Sequence, residues 1–211
     1  MQDKLMMPDR LTIDEQTLSD NYGKFIMEPL ERGYGHTIGN AMRRVLLSSL
    51  EGAAPTIAKI EGAPHEFAVL PGVREDVSDI LLNLRKVRFR LDHEDSVWVE
   101  VNEKGQKEVH ASDIKCPEQV RVVNPDAYLA TLESTGQLKM QIEVSRGRGY
   151  VPVEQVGAGE RQIGEIVLDA LYSPIVRVKY DVDNARVGRV TNYDRLTLEV
   201  WTDATVSPVD A

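Results

Sequence analysis

Ile38, Ala41, Met42, Val45 and Leu46 recur at three- and four-residue spacing and make one apolar stripe, the strongest helical period in the chain. The pattern predicts a helix over Ile38–Leu50, with Thr37 as N-cap and Gly52 as the stop just beyond it. A second helix is expected over Val73–Val87, where Val73, Val77, Ile80, Leu81 and Leu84 share a face. Pro71-Gly72 punctuates its start. Glu75 and Asp76 in its first turn and Arg85 and Lys86 in its last suit the helix dipole. The remaining apolar segments are short and β-like: Lys24–Leu30, Thr56–Ile60, Val87–Leu91, Val97–Val101, Gln119–Val123 and Leu138–Val144. Pro29 suggests a strand end or sheet edge. Val176, Val178, Tyr180 and Val182 alternate on one side, as do Leu196, Leu198 and Val200. Arg189–Arg195, with Asn192 and Asp194, is expected to turn these two into a hairpin. Few helices among many strands is an α+β pattern. Gly157–Gly164 reads as a connector and a domain boundary.

Composition narrows the function classes. The 211 residues carry 25 Lys+Arg against 34 Asp+Glu, a net charge of −9, which argues against a broad grip on nucleic-acid phosphates. With 42% hydrophobic and 28% charged residues the chain has a globular, not a disordered, composition. It holds no apolar run of membrane-spanning length and no signal-peptide core. A single cysteine, Cys116, rules out an internal disulfide and a cysteine zinc site, and fits a reducing cytoplasm.

Each chemistry-bearing motif has a plainer reading beside it. Gly33, Gly35 and Gly39 lie between a strand and a helix, a context that can cradle a phosphate. The spacing is not the dinucleotide fingerprint and lacks a P-loop Lys, so a tight turn and close helix packing are favoured over a phosphate- or nucleotide-binding site at Gly33–Gly39. Opposite the apolar stripe, Leu47 is flanked by Asn40, Arg43 and Arg44, which suits either a protein contact or a solvated face. Asp181 and Asp183 share a strand face and could bind Mg²⁺, but no third carboxylate follows nearby. Asp92–Asp95 has metal-ligand composition in a solvated turn. Arg146–Tyr150 has the residue types of a nucleic-acid contact, with partner binding or a bulged strand favoured over it. Of the histidines, only His36 sits beside a candidate site, and no catalytic set emerges.

Four of these blocks resemble, in order, the family of alpha subunits of bacterial DNA-directed RNA polymerase. Glu31–Leu50 (ERGYGHTIGNAMRRVLLSSL) is similar to that family's signature helix and preceding turn. Glu66–Leu84 with GVREDVSDILLNL, Arg146–Pro152 (RGRGYVP) and Leu171–Thr202 (LYSPIVRVKYDVDNARVGRVTNYDRLTLEVWT) complete the likeness.

The resemblance implies an assembly platform. Two copies would dimerise and recruit the beta subunit, then beta-prime, with omega and sigma reached through the complex. Catalysis and its Mg²⁺ would belong to the large subunits, leaving this chain with no catalytic, cofactor or metal residue. Residues 1–52 and 163–211 would form the dimerisation and assembly subdomain, and residues 53–162 an inserted, mostly β subdomain. By the same likeness, beta contacts fall on Arg43, Arg44, Leu47, Arg85 and Arg148. Leu171–Arg186, with Ser173, Arg177 and Arg186, is the beta-prime region. The dimer interface takes His36, Ile38, Met42, Leu46 and Leu50. The family chain continues into a dimer-supporting helix, a linker and a DNA-binding C-terminal domain. Ser207-Pro208 reads as the start of a helix cut short at Ala211, so a fragment is expected. DNA would be met only through the complex or that further domain, and the location would be cytoplasmic.

Overall fold

Alternating side chains separated by turn residues give antiparallel ladders throughout the computed structural model, which describes Pro8 and residues 11–156, 164–187 and 190–211. In chain order, β1 is Leu11–Ile13, β2 Tyr22–Leu30, α1 Tyr34–Ser48, β3 Glu51–Ile60 and α2 Val77–Leu84. Then follow β4 Phe89–Leu91, β5 Ser96–Lys104, β6 Lys107–His110, β7 Val120–Val122, β8 Tyr128–Leu132 and β9 Gln137–Arg148. The last are β10 Tyr150–Val151, α3 Val153–Val156, β11 Glu165–Val167, β12 Ala170–Leu171, β13 Ile175–Val187 and β14 Val190–Thr202. The mixture is α+β with few helices. The chain divides into two units, one of residues 1–50 with 174–211 and one of 51–173. It returns to the first unit at Pro174, later than the expected 163, because β11 pairs with β3 of the second unit. Of the Gly157–Gly164 connector, only Gly164 lies among the described residues.

The first unit is a four-stranded antiparallel sheet ordered β1-β2-β14-β13, with α1 against β13 and β14. The register sets Tyr180 beside Leu198 and Leu198 beside Phe25, so the predicted alternations meet on one face. Phe25, Leu46, Ile175, Val178, Leu198 and Val200 form its buried core. The expected hairpin is present, but Asn192 and Asp194 are not in its turn. Both lie within β14, where Asp194 pairs with Asn184 and with Leu30. Strand pairing on two sides outweighs the local turn preference of these residues.

The first helix begins and ends earlier than its apolar stripe suggests. Gly33, at φ 87°, is the N-cap, and Thr37 is already inside the helix, its hydroxyl donating to the Gly33 carbonyl at 3.2 Å. Gly52 lies within β3 rather than stopping the helix. Ser207 does cap a turn: the Asp210 N–H donates to its Oγ at 3.2 Å, and that hydroxyl donates to the Asp210 carboxylate at 2.7 Å.

The second unit is built on a sheet ordered β5-β9-β3-β4-β7, with β11 also on β3, and on the pairs β6-β8 and β10-β12. Val97, Val99 and Val101 face Val144, Ile142 and Met140 in register. Leu138, Met140 and Ile142 join Ile80, Leu84 and Phe89 in the buried core. Each such side chain contributes about 1.5–3 kcal/mol when fully buried. The second helix is shorter than expected: Val73 bridges to Leu132 and Asp76 is extended, so only Val77–Leu84 is helical.

Candidate functional site

In the first unit the site is α1, and glycine fixes how it sits. A Cβ on Gly39 would lie 2.6 Å from Tyr180 Cδ2 and 2.9 Å from Leu196 Cδ1. One on Gly35 would lie 2.7 Å from Val182 Cγ1. The helix therefore meets the sheet by backbone contact, and Gly35, Gly39 and Leu46 are its buried residues. At the helix start, Asp194 Oδ2 accepts the N–H of Gly33 at 2.8 Å and of Gly35 at 3.1 Å. A buried carboxylate thus takes the anion position of the helix N-terminus. The phosphate-binding alternative for Gly33–Gly39 fails on that ground, since a phosphate there would meet Asp194.

Close packing through glycine leaves both flanks of α1 uncovered. On one flank Tyr34, Met42 and Val45 are exposed, Val45 at 52%. Ile38 and Leu50 are half-buried, and Leu46 is 4% exposed, meeting the surface as part of an apolar groove of about 190 Å³. Leu11, Met42, Leu196, Pro208 and Val209 also line that groove. The other flank carries Arg43, Arg44 and Leu47, all exposed, with His36 set edge-on to Tyr180 at 6.4 Å between ring centres. The sequence stripe was thus only partly a core stripe: the glycine line beside it is what packs.

The sheet face away from α1 is a charge ladder. Arg177 stacks over the Trp201 ring at 4.8 Å, and Trp201 tilts against Tyr22 at 5.1 Å. Lys179 bonds Glu199 at 3.1 Å and Asp181 at 2.6 Å. The Asp181–Asp183 pair belongs to this solvated ladder, and Arg186 is exposed further along β13. Asp92–Asp95 is a turn in which His93 takes φ 59°. Among the described residues no group of three or more His, Cys, Asp or Glu is placed to hold a metal ion.

In the second unit the predicted arginines meet different carboxylates. Arg85 Nη2 donates to Asp169 Oδ2 at 2.6 Å, while Asp169 Oδ1 accepts the Val153 N–H at 3.0 Å. The nearby Tyr150 hydroxyl also favours the charged form of this carboxylate. The Val153 N–H holds the Asp169 carboxyl below its usual range, against the opposing effect of burial and with help from Arg85. Arg148 donates to Glu51 at 2.6 Å, and that bond lowers the Glu51 carboxyl. Arg146 donates to the Leu91 carbonyl at 3.1 Å. Arg146 and Arg148 are thus both engaged within their own unit, and Tyr150 is exposed beside them. Ser173 is half-buried, with its N–H on the Gly149 carbonyl at 3.3 Å.

Sequence reasoning missed Asp194 and Asp169, whose partners lie far away in the chain. It also did not single out Phe67 and Leu82, which are 77% and 52% exposed. Burial raises the thiol of the half-buried Cys116 and disfavours its thiolate. No helix among the described residues is long and apolar enough to cross a membrane.

Residues 58–173 match the family described as the RNA polymerase Rpb3/RpoA insert domain. The chain is similar to the DNA-directed RNA polymerase subunit alpha of Oleidesulfovibrio alaskensis, 50% identical over 208 residues, which is 99% of this chain and 60% of that one. It is 48% identical over 199 residues to the same subunit of Carboxydothermus hydrogenoformans, covering 94% of this chain and 64% of that one. For Desulforamulus reducens the identity is 49% over 202 residues, covering 96% and 64%. The chain thus spans less than two thirds of the length of these curated relatives.

Proposed function

We infer the function from one premise: this chain belongs to the RNA polymerase Rpb3/RpoA insert-domain family. It acts as a non-catalytic alpha subunit of a bacterial DNA-directed RNA polymerase, pairing with a second copy and scaffolding the beta and then the beta-prime subunit. The observation that carries this reading is the mounting of α1. Glycine contact with the sheet and the Asp194 carboxylate fix the helix while leaving two flanks of opposite character open.

The apolar flank and groove, with Ile38, Met42 and Leu50 and with Leu46 lining the groove, suit a second copy of the chain, and His36, on the opposite flank beside Tyr180, completes the proposed dimer contacts. The Arg43–Arg44–Leu47 flank suits the beta subunit: arginine and an apolar neighbour are an interface composition. Arg85 and Arg148 are further beta contacts in the second unit. Ser173, Arg177 and Arg186 mark the beta-prime region. Mg²⁺ and the catalytic residues belong to another subunit, and omega, sigma and DNA are reached through the complex, in the cytoplasm.

The test is stepwise reconstitution from purified subunits. The chain is expected to bind beta alone, and beta-prime only once beta is present. Failure to bind beta overturns the reading.

A further inference from the structure

Exposure sets the described methionines apart. Met140 lies in the core of the second unit at 1% exposure, whereas Met27 and Met42 both line the apolar groove of the first unit. Met27 is half-buried, and Met42 is 40% exposed on the uncovered flank of α1. Leu11, Leu46, Leu196 and Val209 stand beside them, and every side chain of the lining is apolar.

A thioether is a soft, polarisable filler of such a surface, and it is also open to two-electron oxidation. Its sulfur lone pair needs no deprotonation. The thiol of the chain differs in this respect: burial raises Cys116, so little thiolate is present near neutral pH. Among the described sulfurs, Met42 combines the greatest exposure with a reactive form.

We propose that Met42 is a reversible oxidation site for hydrogen peroxide, and that its sulfoxide bars a second copy of the chain from the groove. The proposal rests on the pairing of two copies inferred above. The sulfur attacks one peroxide oxygen: an S–O bond forms, the O–O bond breaks, and the second oxygen leaves as water. Sulfur gives up two electrons and the peroxide takes them. A dithiol reductant reverses the step, removing the oxygen as water and becoming a disulfide. Oxidation thus places a polar group in an apolar groove. The sulfoxide oxygen is a strong acceptor, and no side chain of the lining can donate to it. A partner covering it would strip its water and leave the hydrogen bond unmade. Pairing in turn covers the sulfur, so the unpaired chain is the form that reacts.

The test treats the whole chain with hydrogen peroxide, locates the added oxygen by peptide mass spectrometry, and measures the dimer dissociation constant by sedimentation. Met42→Leu and Met27→Leu are treated in parallel, and each protein is compared with its own untreated sample. Leucine is close to methionine in volume, so both variants should fold. Met1, Met6 and Met7 are common to all three proteins, so their oxidation cannot distinguish them. Oxygen is expected on Met42, and faster in dilute than in concentrated chain. Peroxide is expected to raise the dissociation constant about tenfold or more in the unvaried chain and in Met27→Leu, but not in Met42→Leu. Methionine sulfoxide reductase with a dithiol should bring it back. Pairing that survives full oxidation of Met42 overturns the proposal and leaves the pairing reading standing. So does a Met42→Leu chain that peroxide weakens as much as the unvaried one. An untreated chain that stays single at every concentration overturns the pairing reading and the proposal with it.

Discussion

Asp194 Oδ2 accepts the Gly33 backbone N–H at 2.8 Å, across 161 residues of sequence. A residue in the middle of β14 thereby caps α1, and the sheet dictates where the helix begins. Asp194→Ala leaves the N–H groups of Gly33 and Gly35 without their acceptor and should cost about 1–3 kcal/mol. Asp194→Asn keeps an acceptor and should cost less. Urea unfolding of both variants checks the order, and an unchanged midpoint for Asp194→Ala would contradict the capping role.

Gly39→Ala sets two effects against each other. Alanine gains about 1 kcal/mol of helix propensity over glycine. The added Cβ, however, would stand 2.6 Å from the Tyr180 ring, and overpacking costs about 1–3 kcal/mol. The ring wall has little room to yield, so net destabilisation is expected, read as a fall in melting temperature. A rise would mean that the helix can lift from the sheet without penalty.

These two residues show where sequence reading succeeds and where it stops. The period of three and four located α1, and the period of two located β13 and β14, because both patterns are local. The apolar stripe of α1 was over-read as buried, because hydropathy treats an apolar side chain as the mark of burial, while the close packing expected at the glycines is present. At Gly35 and Gly39 it is the lack of a side chain that lets the backbone reach the sheet. Asp194 and Asp169 stayed hidden for a different reason: a carboxylate's partner is set by tertiary approach, which single-sequence spacing does not encode. A buried-register position next to Leu196 was the one available sign for Asp194. As interface candidates, Arg43, Arg44 and Arg148 were suggested by residue pattern as well as by the family resemblance, and Arg85 by the resemblance alone.

Arg44 is exposed and makes no ion pair among the described residues, so Arg44→Ala should leave stability within about 0.5 kcal/mol. Its affinity for the beta subunit should fall by about 2 kcal/mol if Arg44 anchors that contact. Calorimetric titration of purified beta measures it. Undiminished affinity would remove Arg44 from the interface.

Asp169 gives a pH signature. Its carboxyl is held below the usual range by the Val153 N–H and the neighbouring Arg85, so the folded state binds the proton more weakly than the unfolded chain does. The stability it contributes is then complete above the unfolded value of about 3.9 and is lost as pH falls through the lower folded value. Asp169→Asn should lower the urea midpoint near neutral pH, and the gap to the unvaried chain should close in acid. A gap independent of pH would mean that the charge is not what matters.

Exposed apolar surface on α1 carries the central claim, that two copies of this chain meet there. Light scattering over a concentration series tests it most directly, against a single-chain mass of 23.6 kDa. The account predicts twice that mass for the unvaried chain and a return to the single mass for Val45→Glu, which puts a charge on the exposed apolar flank. A single mass for the unvaried chain at every concentration, or a dimer that Val45→Glu leaves intact, would contradict it.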